Sequence, residues 1–339
     1  MQGTYNEIKK VTTMKRNLFL FVLFFLLFYL FAMPSQALEA SRSGLGLWLN
    51  TLLPTLLPFL ILSRLLLRTG VIRIFLEPLA PVWRSVLGLT PYGAYAWILG
   101  MLCGYPMGAK LTGELYGSGK ITRNEADYLL TFCNNASPMF LSTYLVHTVL
   151  GRPEYTLITF LLLYCSMYLC SLCFRVYYRR FSQSCLLAMS RSGTCDPASA
   201  PAGQKKETSS LIPERDWIDV SIMDSFETIT KLGGYILLFS IFSAAVQTIW
   251  TTESISRTLF LSLTEISTGL HHIQNTGLNF PLKYAIATAA SSFGGLCILA
   301  QTRSVTHSCG LSLLPYLAGK LLNFCLTFLL ALLVSQVIQ

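Results

Sequence analysis

Charge is scarce in this chain. Asp, Glu, Lys and Arg make up 12% of its 339 residues, while 53% are hydrophobic, and soluble domains carry about twice that share of charge. With a mean hydropathy of +0.54, the composition excludes an ordinary soluble domain and a disordered chain, and reads as a polytopic membrane protein.

Histidine is scarcer still, at 4 residues. His271 and His272 are adjacent, so on a helix they point about 100° apart and form no metal pair by themselves. No H-E-x-x-H, G-x-S-x-G or phosphate loop occurs, and Gly117-Ser118-Gly119-Lys120 lacks the loop length and preceding strand of a nucleotide site. The expectation is a protein that is not an enzyme and holds no cofactor or metal. Cysteine is not lacking, at 10 residues, but it forms no spaced framework. Cys165, Cys170 and Cys173 sit among Leu, Tyr and Met, as small packing residues or, alternatively, a redox or metal pair.

The formal net charge of +9 comes from Lys and Arg beside apolar runs and in one loop, as the positive-inside rule requires. No basic face interleaved with aromatics appears, which argues against nucleic acid; the expected partner is the lipid bilayer. Lys9, Lys10, Lys15 and Arg16 precede a Leu/Phe run from Asn17 to Met33, placing the N-terminus in the cytoplasm. Ser35-Gln36-Ala37 would suit cleavage of a leader, but the run is long and aromatic-rich for a leader core. A retained anchor with a short outer loop over 1–44 is the preferred reading.

Residues 45–67 form the next span, with Pro54 and Pro58 on one face and Arg64, Arg68, Arg73 and Arg84 beyond it. Residues 71–88, interrupted by Arg73, Glu77, Pro78, Pro81 and Arg84, suit an interfacial or re-entrant segment. A helix from Tyr92 to Leu115 is broken across Gly104 to Gly108, and Lys110 and Glu114 are spaced to pair on one face. Thr122 is the expected cap of the following helix, with Glu125 closing a capping box. That helix meets Asn134, Asn135, Ser137 and Pro138 and continues over Met139 to Leu150. Tyr155 to Tyr178 is a further span, ending at Arg175, Arg179 and Arg180. Residues 181–225, rich in Ser, Pro, Ala and Gly, read as a mostly disordered cytoplasmic linker. Beyond it come a span over 229–250, an amphipathic segment over 258–275, an interrupted span over 281–303 and a closing helix over 312–338.

Two units, 45–180 and 226–339, therefore repeat a similar order weakly. If the N-terminus and the linker are both cytoplasmic, the first unit begins outside and the second inside, as in inverted repeats. Parity then requires that all five candidate segments between 45 and 178 cross, or that an even number dip in and return. The expected fold is an all-α polytopic membrane helix bundle of about eight to ten membrane segments, some of them interrupted or re-entrant.

The interruptions carry the functional argument. Proline lacks an amide donor and glycine loosens the backbone, so Gly104-Tyr105-Pro106-x-Gly108 and Ser137-Pro138 should unwind their helices. In lipid, unwound backbone persists only where it is buried in protein or lines a wet cavity, and paired broken helices point to a solute or ion site. Kinked packing helices are the competing explanation.

Gly104-Tyr105-Pro106-x-Gly108-Ala109-Lys110, Asn134-Asn135-x-Ser137-Pro138-x-Phe140, Glu265-x-x-Thr268-Gly269 and Phe293-Gly294-Gly295 with Gln301 together resemble the YlbJ family of sporulation integral membrane proteins. The resemblance covers about residues 45 to 338, with Cys133-Asn134-Asn135 in place of a more usual Thr-Asn pair. It implies two gate-like units, the nucleoside recognition or gate domain shared with spore maturation proteins, ferrous iron transporters and concentrative nucleoside transporters. It also implies a multi-pass cell-membrane protein needed for spore cortex formation, with transport of an unidentified small solute or ion. A homo-oligomer, or an assembly with other sporulation membrane proteins, is the partner it leaves open.

The residues expected to bind solute are thus Gly104, Tyr105, Pro106, Gly108, Lys110, Glu114, Asn134, Asn135, Ser137, Pro138, Glu265, Thr268, Gly294, Gly295 and Gln301. Glu265 carries most weight as an ionisable group at membrane depth. Asn134, Asn135 and Ser137 offer neutral amide and hydroxyl groups, though they also suit the task of satisfying backbone released by Pro138. A non-transporting scaffold for cortex assembly is the alternative function.

Overall fold

The computed structural model describes residues 16–17, 20–69, 76–191, 217–252 and 254–337. Lys9, Lys10, Lys15, Arg73 and the stretch 192–216, on which parts of the topology argument rest, lie outside them. The described residues are mostly helical, with no strand among them.

Helix α1, Leu20–Ala32, bends by 112° into the helix that starts at Pro34. Pro34 opens α2, Pro34–Leu47, because its missing amide is no loss at a helix start. This replaces the outer loop expected before residue 45. A π-wound turn, Trp48–Leu52, joins α2 to α3, Leu53–Thr69. On α1, Phe21, Phe24, Phe28 and Phe31 line one exposed face, the side a membrane helix turns to lipid.

A short helix α4, Ala80–Val86, bends by 72° into α5, Pro91–Cys103. Then follow α6, Met107–Gly117, α7, Arg123–Leu130, and a π-wound segment, Phe140–Leu150. The long helix α8, Thr156–Arg191, closes the first half. The second half holds α9, Trp217–Ile249, α10, Ile255–Thr264, α11, Ile266–Gln274, α12, Phe280–Phe293, α13, Gly295–Thr306, and α14, Leu314–Val337.

Helices α8 and α9 enter both ends of the stretch read as a linker, taking in 181–191 and 217–225. Helical hydrogen bonds carry on past the apolar span because nothing in those flanks breaks them: neither contains Pro or Gly.

Among the described residues four helices are long and apolar enough to cross a membrane, or up to six if each bent pair is one span. The chain is a multi-pass membrane protein. The larger number of segments expected from hydropathy counted stretches that are short helices here: α4, α6, α7, α10 and α11.

The first half holds a broken pair (α5, α6), a second broken pair (α7, π segment) and a long helix (α8), and the second half holds α10 with α11, α12 with α13, and α14. Glu265 splits the amphipathic segment over 258–275 in two, which makes it a broken pair. In the bundle α14 packs on α12 and α8, α13 on α6, and α9 on α2 and α3.

Candidate functional site

Four breaks interrupt the helices, and glycine lets them approach in pairs. At the first, Gly104 adopts φ +86°, in the region where side chains are strained, and a Cβ there would lie 2.8 Å from the Ser137 amide nitrogen. A Cβ on Gly100 or Gly108 would lie 2.2 or 2.1 Å from the Cys133 carbonyl oxygen. The first break thus holds the second against bare backbone, with glycines recurring every fourth residue along one face. Ser137 Oγ accepts from the Phe140 amide at 3.3 Å and so starts the helical winding after Pro138.

The third break, at Glu265, is closed by its own side chain. Both carboxylate oxygens accept backbone amides, Ser267 N at 3.0 Å and Thr268 N at 2.7 Å, capping α11. Glu265 is 6% exposed, and its charge meets the positive end of that helix. It is a buried helix cap. Thr268 contributes its amide. The fourth break follows: Gly294 and Gly295 both adopt φ +86°, and a Cβ on Gly295 would lie 3.1 Å from the Leu263 carbonyl oxygen beside Glu265.

The two halves meet through these breaks. Tyr105 OH donates to the carbonyl oxygens of Ser291 and Ser292, each at 3.0 Å. These are among the last carbonyls of α12, which have no partner within their own helix. Gly294 lies against the Tyr105 ring, where a Cβ would come within 3.0 Å. Asn134 Nδ2 donates to Thr302 Oγ1 on α13 at 3.1 Å, while its Oδ1 is buried without a partner. Tyr144 OH, from the π segment, donates to the Ser267 carbonyl at 2.8 Å, tying the second break to the third.

At the centre is a residue the sequence reading passed over. Lys320 of α14 is 1% exposed. Its Nζ donates to Ser292 O at 3.0 Å, Tyr105 OH at 3.3 Å and Asn135 Oδ1 at 3.4 Å. It also stands 4.8 Å above the Tyr105 ring and 5.9 Å from that of Tyr316. Asn135 Nδ2 in turn donates to Phe132 O at 2.7 Å. A signal for Lys320 existed: it is the one Lys in an apolar closing helix, and Asn323 and Thr327 follow at helical spacing. Both sit on the buried face, where Ser166 Oγ of α8 donates to Asn323 Oδ1 at 2.9 Å and lies 2.8 Å from Thr327 Oγ1.

Other expected site residues stand apart. Lys110 and Glu114 do pair, at 3.3 Å, but in a separate charged cluster. There Arg64 meets Glu114 at 3.1 Å and also binds Asp224 of α9. Gln301 Nε2 turns back to Cys297 Sγ at 3.3 Å within α13. The capping box at Thr122 is half formed: Thr122 Oγ1 accepts Glu125 N at 3.3 Å. The Glu125 carboxylate instead reaches Thr90, taking its amide at 2.7 Å and its hydroxyl at 2.8 Å. Among the described residues no three His, Cys, Asp or Glu side chains gather closely enough to hold a metal ion.

The chain is 27% identical over 311 residues to the sporulation integral membrane protein YlbJ of Bacillus subtilis (strain 168), a match covering 86% of this chain and 75% of that protein. This supports the YlbJ-family assignment suggested by the four motifs. No family model and no solved structure matches the chain.

Proposed function

We propose that this protein acts in sporulation, in forming the spore cortex, as a membrane transporter or gate for a small solute or ion and not as an enzyme. The two halves are read as inverted gate-like repeats whose breaks face each other, and alternating access would rock one against the other about the Tyr105, Asn135, Ser292 and Lys320 cluster. The observation that carries this reading is the bond from Tyr105 OH to Ser291 and Ser292. It joins the first break to the fourth where a packed bundle would need only apolar contact.

Support also comes from the polar groups at these breaks. Buried neutral oxygens and amides in broken helices are what a dehydrated solute or ion exchanges for water. The similarity to a sporulation membrane protein supplies the cellular process.

The test is complementation of a sporulating host lacking its own copy, with Tyr105→Phe, Asn135→Ala, or a deletion within 195–210, each matched for membrane abundance. Failed cortex with the two point variants and normal cortex with the deletion is the expected result. The opposite pattern would sink the gate reading and favour a scaffold that recruits other sporulation membrane proteins.

A further inference from the structure

Lys320 lies six residues into α14, roughly 9 Å along the helix from Leu314. Among the described residues it takes part in no ion pair. Taking an ammonium out of water without a counter-charge is costly, and hydrogen bonds to neutral groups return only part of that cost. A methionine or leucine there would avoid that cost. The head group therefore has a role at this position, and its surroundings indicate which.

All three oxygens around Nζ are neutral: a main-chain carbonyl (Ser292), a side-chain amide (Asn135) and a phenol (Tyr105). Each comes from a different helix break. The Ser292 carbonyl belongs to the C-terminal end of α12, where the helix dipole is negative. The rings of Tyr105 and Tyr316 present π faces to the same nitrogen. Carbonyl dipoles, amide oxygens and aromatic faces are what a dehydrated monovalent cation takes in place of water. An anion would need donors, and here Tyr105 OH and Asn135 Nδ2 are already spent on backbone carbonyls.

We propose that the breaks form a cradle for an ammonium-sized monovalent cation, and that the Lys320 head group is its tethered occupant. The chain thus carries its own ion at the junction of the two halves, and a free cation gains access only when that head group is removed. This goes beyond the gate reading and does not depend on it, because its test reads binding and not transport.

The test uses the full-length protein in detergent and follows thermal unfolding. Lys320→Met keeps an apolar stem one atom shorter and vacates the Nζ position. In ammonium chloride, compared with choline chloride at equal concentration, its Tm should rise by about 3 °C for a ligand near ten times its Kd. The wild type should not respond. Lys320→Ala serves as a second vacated form, and absence of any ammonium response in both folded variants overturns the proposal. Stabilisation of the wild type by phosphate over chloride that is lost in Lys320→Met would also overturn it, making Lys320 an anion anchor. If neither vacated form folds, Asn135→Asp is compared with Asn135→Leu: both lose the bond from Nδ2 to Phe132 O, and a carboxylate beside a charged occupant should leave Asn135→Asp the more stable of the two, whereas an equal or lower Tm for Asn135→Asp rejects a cationic occupant.

Discussion

Asn134 donates to Thr302 Oγ1 across 3.1 Å, joining residues 168 positions apart. Both are fully buried, so this single side-chain bond crosses from the second break of the first half into α13 of the second. The interface between the halves is therefore polar at its centre, and its contributions are separable.

A double-mutant cycle of Asn134→Ala and Thr302→Val should show a coupling of about 0.5–1.5 kcal/mol in thermal or denaturant unfolding. Strict additivity would mean that the two side chains do not bond in the membrane protein.

Gly108→Ala should be among the most damaging small substitutions. Its Cβ would sit 2.1 Å from the Cys133 carbonyl oxygen, backbone that cannot step aside, and the loss should reach about 2–4 kcal/mol or show as lost membrane abundance. Gly234→Ala is the control, because nothing lies within 4 Å of its Cβ. It should be neutral or slightly stabilising through helix propensity. Equal effects of the two would refute the close approach.

Glu265→Ala leaves the amides of Ser267 and Thr268 without their acceptors. The expected cost is about 1–3 kcal/mol, and Glu265→Asn, which still presents one cap oxygen, should recover part of it. If Glu265→Ala unfolds at the wild-type temperature, the capping role is wrong.

The Glu125 carboxylate ties α7 to the start of α5 through two bonds from Thr90. Glu125→Ala should lower stability by about 1.5–3 kcal/mol, and Glu125→Gln by less, since one neutral oxygen remains to accept. The same comparison in a Thr90→Val background should shrink, because the hydroxyl bond is already gone; an undiminished effect would place Glu125 elsewhere.

Local chemistry made much of this readable in one dimension. Pro and Gly act on the backbone of their own residues, so the interruptions at Gly104 to Pro106, before Pro138 and at Gly294 follow from residue type. Apolar runs located the long helices α8, α9 and α14 for the same reason. Lys110 and Glu114, four apart on one helix, also needed no tertiary information to be paired.

What the sequence by itself determined, then, was where the apolar helices run, where Pro and Gly interrupt them and that they lie in a membrane. Only the tertiary structure decided which break faces which. Glu125 shows why: its capping role was local, yet a carboxylate on a flexible stem goes to the stronger donor pair at Thr90, 35 residues away. Lys320 shows it more sharply. Charge alone could not tell a lysine that reaches the water interface from one held inside. That choice rests on three acceptors from breaks far apart in the chain, whose meeting depends on how the two halves pack.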